Sequence, residues 1–544
     1  MVANGREGRV MAAIRVRLVA TTRSPAELWP PFGSDWWPQL DGARRCGHDC
    51  VMARGSEGIV GRVEERRVLS EAARVDRAAL VAIYGRRRVG KTHLVRNHLE
   101  PLAGTYFEAI GQHTAPREVQ LDNFKQQLER TFFDHRLPRL SDWREALSLL
   151  GDGVIAAAER KPTKPVVVFF DELPWMATHR SGLLPAIDYL WNARLSRVPN
   201  LVWVLCGSAA SFMLDRLINA KGGLHNRITH RLRLEPFRLG EVRELLAKRG
   251  LRRGTMQALE LYMALGGVPY YLLQVPSGMS ASQAIGHVCF SRSGQLKDEF
   301  GRLFASLFDD AGEHERLVRA AATNRGGMSR DELITAAGLE SGGRATRWID
   351  ELEAAGFLAR FVPYGRTKRN TSYRLIDEYS LFHLRWIEPA PASSFGARGS
   401  KYWMSKAGSP AFRAWAGYAF EGICLKHSAQ IERALGIDGM ANEVGTWRHV
   451  PGPGAHDDAG AQVDLLFDRP DGIINLCEIK YAAEEFVLTK AHAKELVTKA
   501  EIFRARTRTK KEVVTTLVTT HGLRPGLWND EVIDSVVTAE QLMT

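Results

Sequence analysis

Two groups of residues in this chain have the types and spacing to do chemistry on phosphates. The first is Gly85, Gly90, Lys91 and Thr92 in LVAIYGRRRVGKTHLVR, a complete G-x-x-x-x-G-K-[ST] pattern between an apolar β-prone run and a helical stretch. Glycines let the loop turn its N–H groups inward onto phosphate oxygens, and the start of the following helix adds partial positive charge. Lys91 can then reach the β- and γ-phosphates of ATP, and the Thr92 hydroxyl is placed to ligate Mg²⁺. Arg86, Arg87, Arg88, Val89 and His93 complete the stretch expected to line the nucleotide.

About 80 residues later, KPVVVFFDELPWM reads as a buried parallel strand that presents Asp171 and Glu172 at its C-terminal end. From there an aspartate can hold Mg²⁺ and a glutamate can orient or deprotonate the attacking water, so Glu172 is the candidate base. A third apolar run, Leu201 to Cys206, ends in Gly207-Ser208, and Ser208 is placed to sense the γ-phosphate. Arg227, in NRITHR, could neutralise transition-state charge; a solvated surface arginine is the competing reading.

The second group lies near the C-terminus. AQVDLLFD carries Asp464, turns through Arg469-Pro470-Asp471-Gly472, and returns as IINLCEIKY with Glu478 and Lys480. Side chains alternate along a strand, so Glu478 and Lys480 share a face, and the hairpin brings Asp464 level with them. Two carboxylates and a lysine so placed can hold one or two Mg²⁺ and cut a phosphodiester. An exposed charged face is the bland alternative, but these acids interrupt apolar runs, where unpaired charge is costly.

The elements around these groups suggest the organisation. Residues 1–57 show no sustained period and read as a disordered arm, or as a leader upstream of a start near Met52. A P-loop core is expected over 58–235 and a helical lid over 236–300, in which Gly266-Gly267-Val268-Pro269 could set Pro269 against the base. Over 301–388, HERLVRAAATN, SRDELITAAG (Ser329 a good N-cap) and a helix from Arg344 precede a basic hairpin. This is a winged helix-turn-helix pattern. Arg344 and Arg347 would enter a DNA groove and Arg366, Lys368 and Arg369 would touch phosphates, unless the module only packs. PAPASSFGARGS (389–400) reads as a linker, and 401–544 as the last domain, with Glu421 on its first long helix.

Composition agrees with an anionic partner. The 544 residues carry a net charge of +12, with 45% hydrophobic and 25% charged residues, which makes nucleic acid the first candidate. Six scattered cysteines imply no disulfide framework and fit a reducing cytoplasm. Cys46, His48 and Cys50 lack a second ligand pair at zinc spacing. No apolar run approaches the ~18 residues of a spanning helix, and no signal-peptide pattern opens the chain, so neither a membrane partner nor export is expected.

The chain resembles the archaeal-type P-loop ATPases, related to the AAA+ and STAND groups, through Gly61-Arg62 with Glu65, GRRRVGKT, FFDELPWM, CGSAASFM and Gly267-x-Pro269. It departs at Val63, where an acid is usual. Its C-terminal part is similar to the PD-(D/E)XK nucleases, with Asp464, Glu478 and Lys480 matching D…E-x-K and Glu421 matching the helical acid; Val463 replaces the naming proline. The resemblance implies an α/β fold class: a P-loop parallel sheet with helical lid, a winged helix, and an α/β restriction-endonuclease-like domain. It also implies ATP and Mg²⁺ as cofactors, metal at Thr92 and Asp171 and at Glu421, Asp464 and Glu478, DNA as partner, and assembly into homo-oligomers. The expected function is ATP hydrolysis coupled to DNA binding and Mg²⁺-dependent cleavage, with defence against foreign DNA as a setting. The alternatives are an ATP-switched DNA-binding regulator, or a scaffold, with an inactive nuclease-like domain.

Overall fold

The apolar runs around the glycine-rich loop assemble into a five-stranded sheet. Its strands are β1 (Ala79–Tyr84), β2 (Thr105–Ile110), β3 (Val166–Asp171), β4 (Leu201–Gly207) and β5 (His230–Arg233). They are ordered β2-β3-β4-β1-β5 and all run parallel. Every residue of VVVFFD and LVWVLCG is buried because helices cover both faces. Leu80, Val168 and Phe170 face the helices Arg117–Phe132, Trp143–Arg160 and Leu183–Ala193, while Val81, Val167 and Phe169 face Val63–Ala72 and Lys91–His98. In this computed structural model the described residues are 58–178, 180–218, 223–324, 326–367, 370–396, 399–441, 443–451 and 459–544. Residues 1–57 (with Cys46, His48 and Cys50), Lys368 and Arg369 lie outside them.

A helical layer follows the sheet, chiefly Leu239–Lys248, Thr255–Leu265, Pro269–Leu272 and Glu299–Leu307. The helices Ala311–Thr323, Arg330–Ala336 and Gly343–Ala354 then come with a small antiparallel sheet, β6 (Met328–Ser329), β7 (Leu358–Phe361) and β8 (Ser372–Leu375), ordered β6-β8-β7. Ser329 caps its helix as its sequence suggests, within a reciprocal pair with Glu332. The last sheet contains β9 (Glu443–His449), β10 (Ala461–Asp468), β11 (Ile473–Lys480), β12 (Glu512–Thr519) and β13 (Ser535–Thr538), in the order β13-β12-β11-β10-β9. The helices Pro410–Lys426 and Lys490–Thr507 flank it. β9 is absent from the sequence expectation: it is an edge strand with only Trp447 buried, so it carries little apolar pattern.

Packing does not break where composition changes. One hydrophobic core runs from Val60 and Phe237 through Phe304, Trp348 and Phe382 to Trp415, Phe467 and Met543. Ala390 and Phe395, from the segment expected to be a linker, pack against it, which corrects that reading for the described residues there. Phe395 stacks on Phe290 at 5.9 Å, and Gly399 approaches so closely that a Cβ would lie 2.1 Å from the Phe290 carbonyl oxygen. The following helix, Gly399–Ala407, packs on Gly286–Phe290 rather than starting a new domain. The Pro/Ser/Gly content there reflects tight backbone approach, not freedom.

The C-terminal end also locks onto the helical layer. Arg243 pairs with Glu540 at 2.6 Å, and a Cβ on Gly240 would meet the Met543 carbonyl oxygen at 2.4 Å. Beneath this contact the Leu239 N–H donates to His427 Nε2 at 3.0 Å, while His427 Nδ1 lies 2.8 Å from the Ile423 carbonyl. His427 is therefore neutral, with its proton on Nδ1. Cys206, Cys289, Cys424 and Cys477 are free and buried, and among the described residues no helix is long and apolar enough to cross a membrane.

Burial pushes both His427 and His383 down to about 4 from an ordinary 6.5. A depressed folded-state pKa leaves the stabilisation intact above pH 6.5 and removes it as pH falls towards 4, by on the order of 3 kcal/mol per histidine. We expect thermal stability to fall across that interval, and His427→Gln to flatten part of the slope. An unchanged acid limb in the variant would contradict the neutral, buried assignment.

Candidate functional site

β1 delivers the glycine-rich loop at the C-terminal edge of the parallel sheet. Gly85 has φ +144° and a Cβ there would lie 2.2 Å from the Leu234 carbonyl oxygen, so the position requires glycine. Arg88 (φ 69°) and Gly90 (φ 94°) both have positive φ just before the helix Lys91–His98, the kind of backbone from which a loop can present N–H groups to an anion. Lys91 is only 5% exposed, and its Nζ donates to the carbonyls of Gly85 (2.9 Å) and Arg86 (3.0 Å) and to Ser208 Oγ (2.9 Å). All three partners are neutral. A buried ammonium with only neutral acceptors is a place for an anion.

The acids of β3 meet the same centre. Thr92 Oγ1 donates to Asp171 Oδ2 at 2.6 Å, so the two groups that would hold Mg²⁺ are already adjacent. Glu172 sits in left-handed backbone (φ 48°, ψ 47°), a conformation costing on the order of 1–3 kcal/mol for a non-glycine residue. Its carboxylate accepts from Ser208 N (3.0 Å) and Ser208 Oγ (2.5 Å). Ser208, at the tip of β4, thus joins Lys91 to Glu172 in one hydrogen-bonded chain. Donors and acceptors of this set fit a nucleotide with Mg²⁺: Thr92 and Asp171 for the metal, Lys91 and the loop amides for the phosphates.

Arg62 buttresses the loop from behind. It donates to the carbonyls of Val89 (3.2 Å) and Glu235 (2.7 Å), pairs with Glu65 at 3.1 Å, and lies over the Phe237 ring. Its own N–H donates to Glu241 of the helical layer at 3.0 Å. Pro269 starts the short helix Pro269–Leu272, whose Tyr270 ring lies 4.2 Å from the Arg88 guanidinium, so that segment flanks the loop. His93 is exposed and bonded to Asn97, and Arg87 is half-buried.

The sequence reading missed what Arg86 and Arg88 touch. Arg86 forms a fully buried ion pair with Asp377, with its guanidinium over the Phe357 ring at 4.9 Å. Arg88 pairs with Glu299, which also accepts from the Tyr271 hydroxyl at 3.0 Å. These partners lie 291 and 211 residues away in sequence, and nothing local marks them.

Arg227 is not brought to the loop. Two and three residues on, the chain pairs with the beginning of β1, with Thr229 N–H donating to the Leu80 carbonyl and His230 opposite Val81. In a parallel sheet this is the edge opposite Gly85, about 15 Å away at ~3.3 Å per residue. Arg227 is exposed there, which corrects its assignment to the chain's own phosphate site.

The β10–β11 hairpin pairs Leu465 with Cys477, which leaves Asp464 and Glu478 as neighbours just beyond the paired register. Asp464 Oδ2 accepts from the Ile479 N–H at 3.2 Å. Burial, with repulsion from Glu478 and Glu421, pushes the Asp464 carboxyl up to about 7. Glu478 is held down despite its burial, because Lys499 (2.5 Å) and Lys480 (2.7 Å) each take one of its oxygens. Lys499, from the helix Lys490–Thr507, is a second cation on Glu478 that no motif announced. Glu421 is paired with Arg374 of β8 at 3.0 Å. The three acids are therefore not gathered as a metal set, and among the described residues no group of three or more His, Cys, Asp or Glu is so arranged. Cations already satisfy Glu421 and Glu478, which corrects the expected metal assignment in this arrangement.

The helix Gly343–Ala354 and its hairpin are partly occupied by protein. The carbonyl of Glu353 accepts from Arg233 of β5, and Arg344 pairs with Asp310. Past β7, Tyr364 donates its N–H to the Thr446 carbonyl of β9 and its hydroxyl to Asp468, and stacks on Phe503. Arg366 remains exposed.

Residues 59–275 match the family described as an ATPase domain predominantly from Archaea, so this part of the chain is an ATPase domain of that kind. An uncharacterised protein of Methanocaldococcus jannaschii is 21% identical over 412 residues, covering 75% of this chain and 84% of that protein. Among solved structures, a Walker-type ATPase of Pyrococcus abyssi shares 20% identity over 60% of this chain and 97% of its own, at a TM-score of 0.43. The Aeropyrum pernix ORC2 protein, solved with ADPNP and ADP, shares 16% over 65% and 98%, at 0.38.

Asp464 gives a sign-defined test. Its folded-state pKa is raised, so the stabilisation present below its unfolded value near 3.8 is lost as pH rises to about 7. Asp464→Asn should therefore gain stability over the parent between pH 4 and 7, by on the order of 1–2 kcal/mol. A variant less stable than the parent at pH 8 would contradict the crowding of these acids.

Proposed function

We propose that the chain is an ATP-binding and ATP-hydrolysing switch whose nucleotide state governs engagement of DNA. The observation that carries this is the buried Lys91 ammonium, held only by neutral oxygens beside an adjacent Thr92–Asp171 pair. Mg²⁺ bound by Thr92 and Asp171 would supply charge neutralisation at the phosphates. Lys91 and the inward N–H groups of Gly85 to Gly90 orient the triphosphate. Glu172 takes the proton of the attacking water, and Ser208 holds its carboxylate until the γ-phosphate draws the serine away. DNA as partner rests on the net charge of +12 and on the three-helix-plus-hairpin module, read as a winged helix with Arg344, Arg347 and Arg366 exposed. The cytoplasm is the setting consistent with free cysteines.

A second reading is favoured by one specific observation. Asp464 and Glu478 lie close together on the paired strands β10 and β11 with Lys480 on Glu478, which matches the D…E-x-K pattern of a Mg²⁺-dependent nuclease. Against it, Lys499 and Arg374 hold two of the acids. In the arrangement described, a DNA-binding platform is the better reading of this domain.

One experiment separates the readings: supercoiled and linear DNA incubated with the protein and Mg²⁺, with and without ATP, alongside Glu172→Gln and Asp464→Ala. The switch reading predicts that ATP changes DNA retention, that Glu172→Gln lowers turnover about 10²-fold or more while still binding ATP, and that no strand is cut. ATP-dependent cutting that vanishes in Asp464→Ala would establish the nuclease reading instead. Unchanged turnover in Glu172→Gln would remove the base assignment.

A further inference from the structure

Five consecutive residues, Arg374 to Glu378, touch both candidate sites. Asp377 holds Arg86 of the glycine-rich loop, with both side chains almost completely buried. Three residues earlier, Arg374, itself 6% exposed, donates to Glu421 at 3.0 Å and lies over the Tyr418 ring. Glu378 accepts from Lys426 at 2.7 Å, on the same helix as Glu421. The segment is the end of β8 and the start of the helix Glu378–Phe382, and Asp377 caps that helix through Ser380 N at 2.9 Å.

These contacts form a continuous path. The Arg86 carbonyl accepts from Lys91, so a Lys91 that turns to a phosphate releases the backbone of the residue Asp377 grips. Asp377 is the carboxylate that pairs with the Arg86 guanidinium, which otherwise lies near the Tyr271 and Phe357 rings. Ion pairs buried at both ends of so short a segment leave it little room to absorb motion within itself.

We propose that Arg374–Glu378 is a coupling strap: occupancy of the nucleotide loop, sensed through Arg86 and Asp377, sets whether Glu421 of the C-terminal acidic site is held by Arg374 or released. Asp377 and Arg374 are its positioning residues. The inference rests on the ATP-site reading above, and coupling of this kind must be reciprocal between the two sites.

The test is amide exchange over residues 410–426 of the full-length protein, with and without ADPNP and Mg²⁺, together with ADPNP affinity. Parent protein should show a change of about threefold or more there on binding nucleotide. Asp377→Asn retains the helix cap but loses the charge; it and, independently, Arg374→Met should still bind ADPNP and lose the change at 410–426. Glu421→Gln should alter ADPNP affinity about fivefold in the parent and leave it unaltered in Arg374→Met. A purely structural staple predicts no nucleotide response in any of these. Nucleotide binding without a response at 410–426 in the parent overturns the strap and leaves the ATP site standing. Absence of nucleotide binding by the parent overturns the ATP-site reading and the strap with it. Should Asp377→Asn fail to fold, Arg374→Met alone decides, because a response that persists in it overturns the strap.

Discussion

A guanidinium and a carboxylate, Arg86 and Asp377, meet out of contact with water where the glycine-rich loop passes under the C-terminal half of the chain. Burying two charges is unfavourable unless their geometry is good, and removing one partner alone typically costs ~3–5 kcal/mol. The constraint reaches outward from there. Asp377 must also cap its helix, Arg86 must lie against Phe357, and Gly85 must stay bare to clear Leu234. Most of the hydrophobic core then has to continue from the helical layer to the last sheet without a gap, as it does. The loop is therefore shaped by residues nearly three hundred positions away as well as by its own glycines.

The two acidic sites differ in what surrounds them. At the loop, Asp171 and Glu172 meet neutral donors, Thr92 and Ser208, and the nearby lysine is held by neutral oxygens rather than by either carboxylate. At the hairpin, lysines take Glu478 and an arginine takes Glu421, leaving Asp464 crowded by like charge. Low-dielectric surroundings magnify both situations. At the first site the lysine has no carboxylate partner; at the second, two of the three acids are already paired with the protein's own cations.

How much of this was legible in the sequence follows from how local each signal is. Gly85-x₄-Gly90-Lys91-Thr92, the apolar runs ending at Asp171 and Ser208, and the Asp464/Glu478 hairpin are spelled by consecutive residues, and all three have the expected secondary structure. What escaped depends on long-range pairing. Asp377, Glu299, Lys499 and Arg374 are ordinary charged residues until the fold gives them partners. Arg227 misled because its position on the chain, shortly after β4, does not reveal which edge of the sheet it occupies. The segment 389–400 misled because Gly and Pro serve close packing as well as looseness, and the difference lies in Phe290.

The most direct test of the central claim is calorimetric titration of ATP into the protein with and without Mg²⁺, beside Lys91→Ala. The account predicts Mg²⁺-dependent binding of one ATP per chain that weakens by about a hundredfold or more in Lys91→Ala, consistent with loss of a buried charge-assisted contact of roughly 3 kcal/mol. Equal affinity in the parent and the variant, or no heat of binding in either, would contradict it.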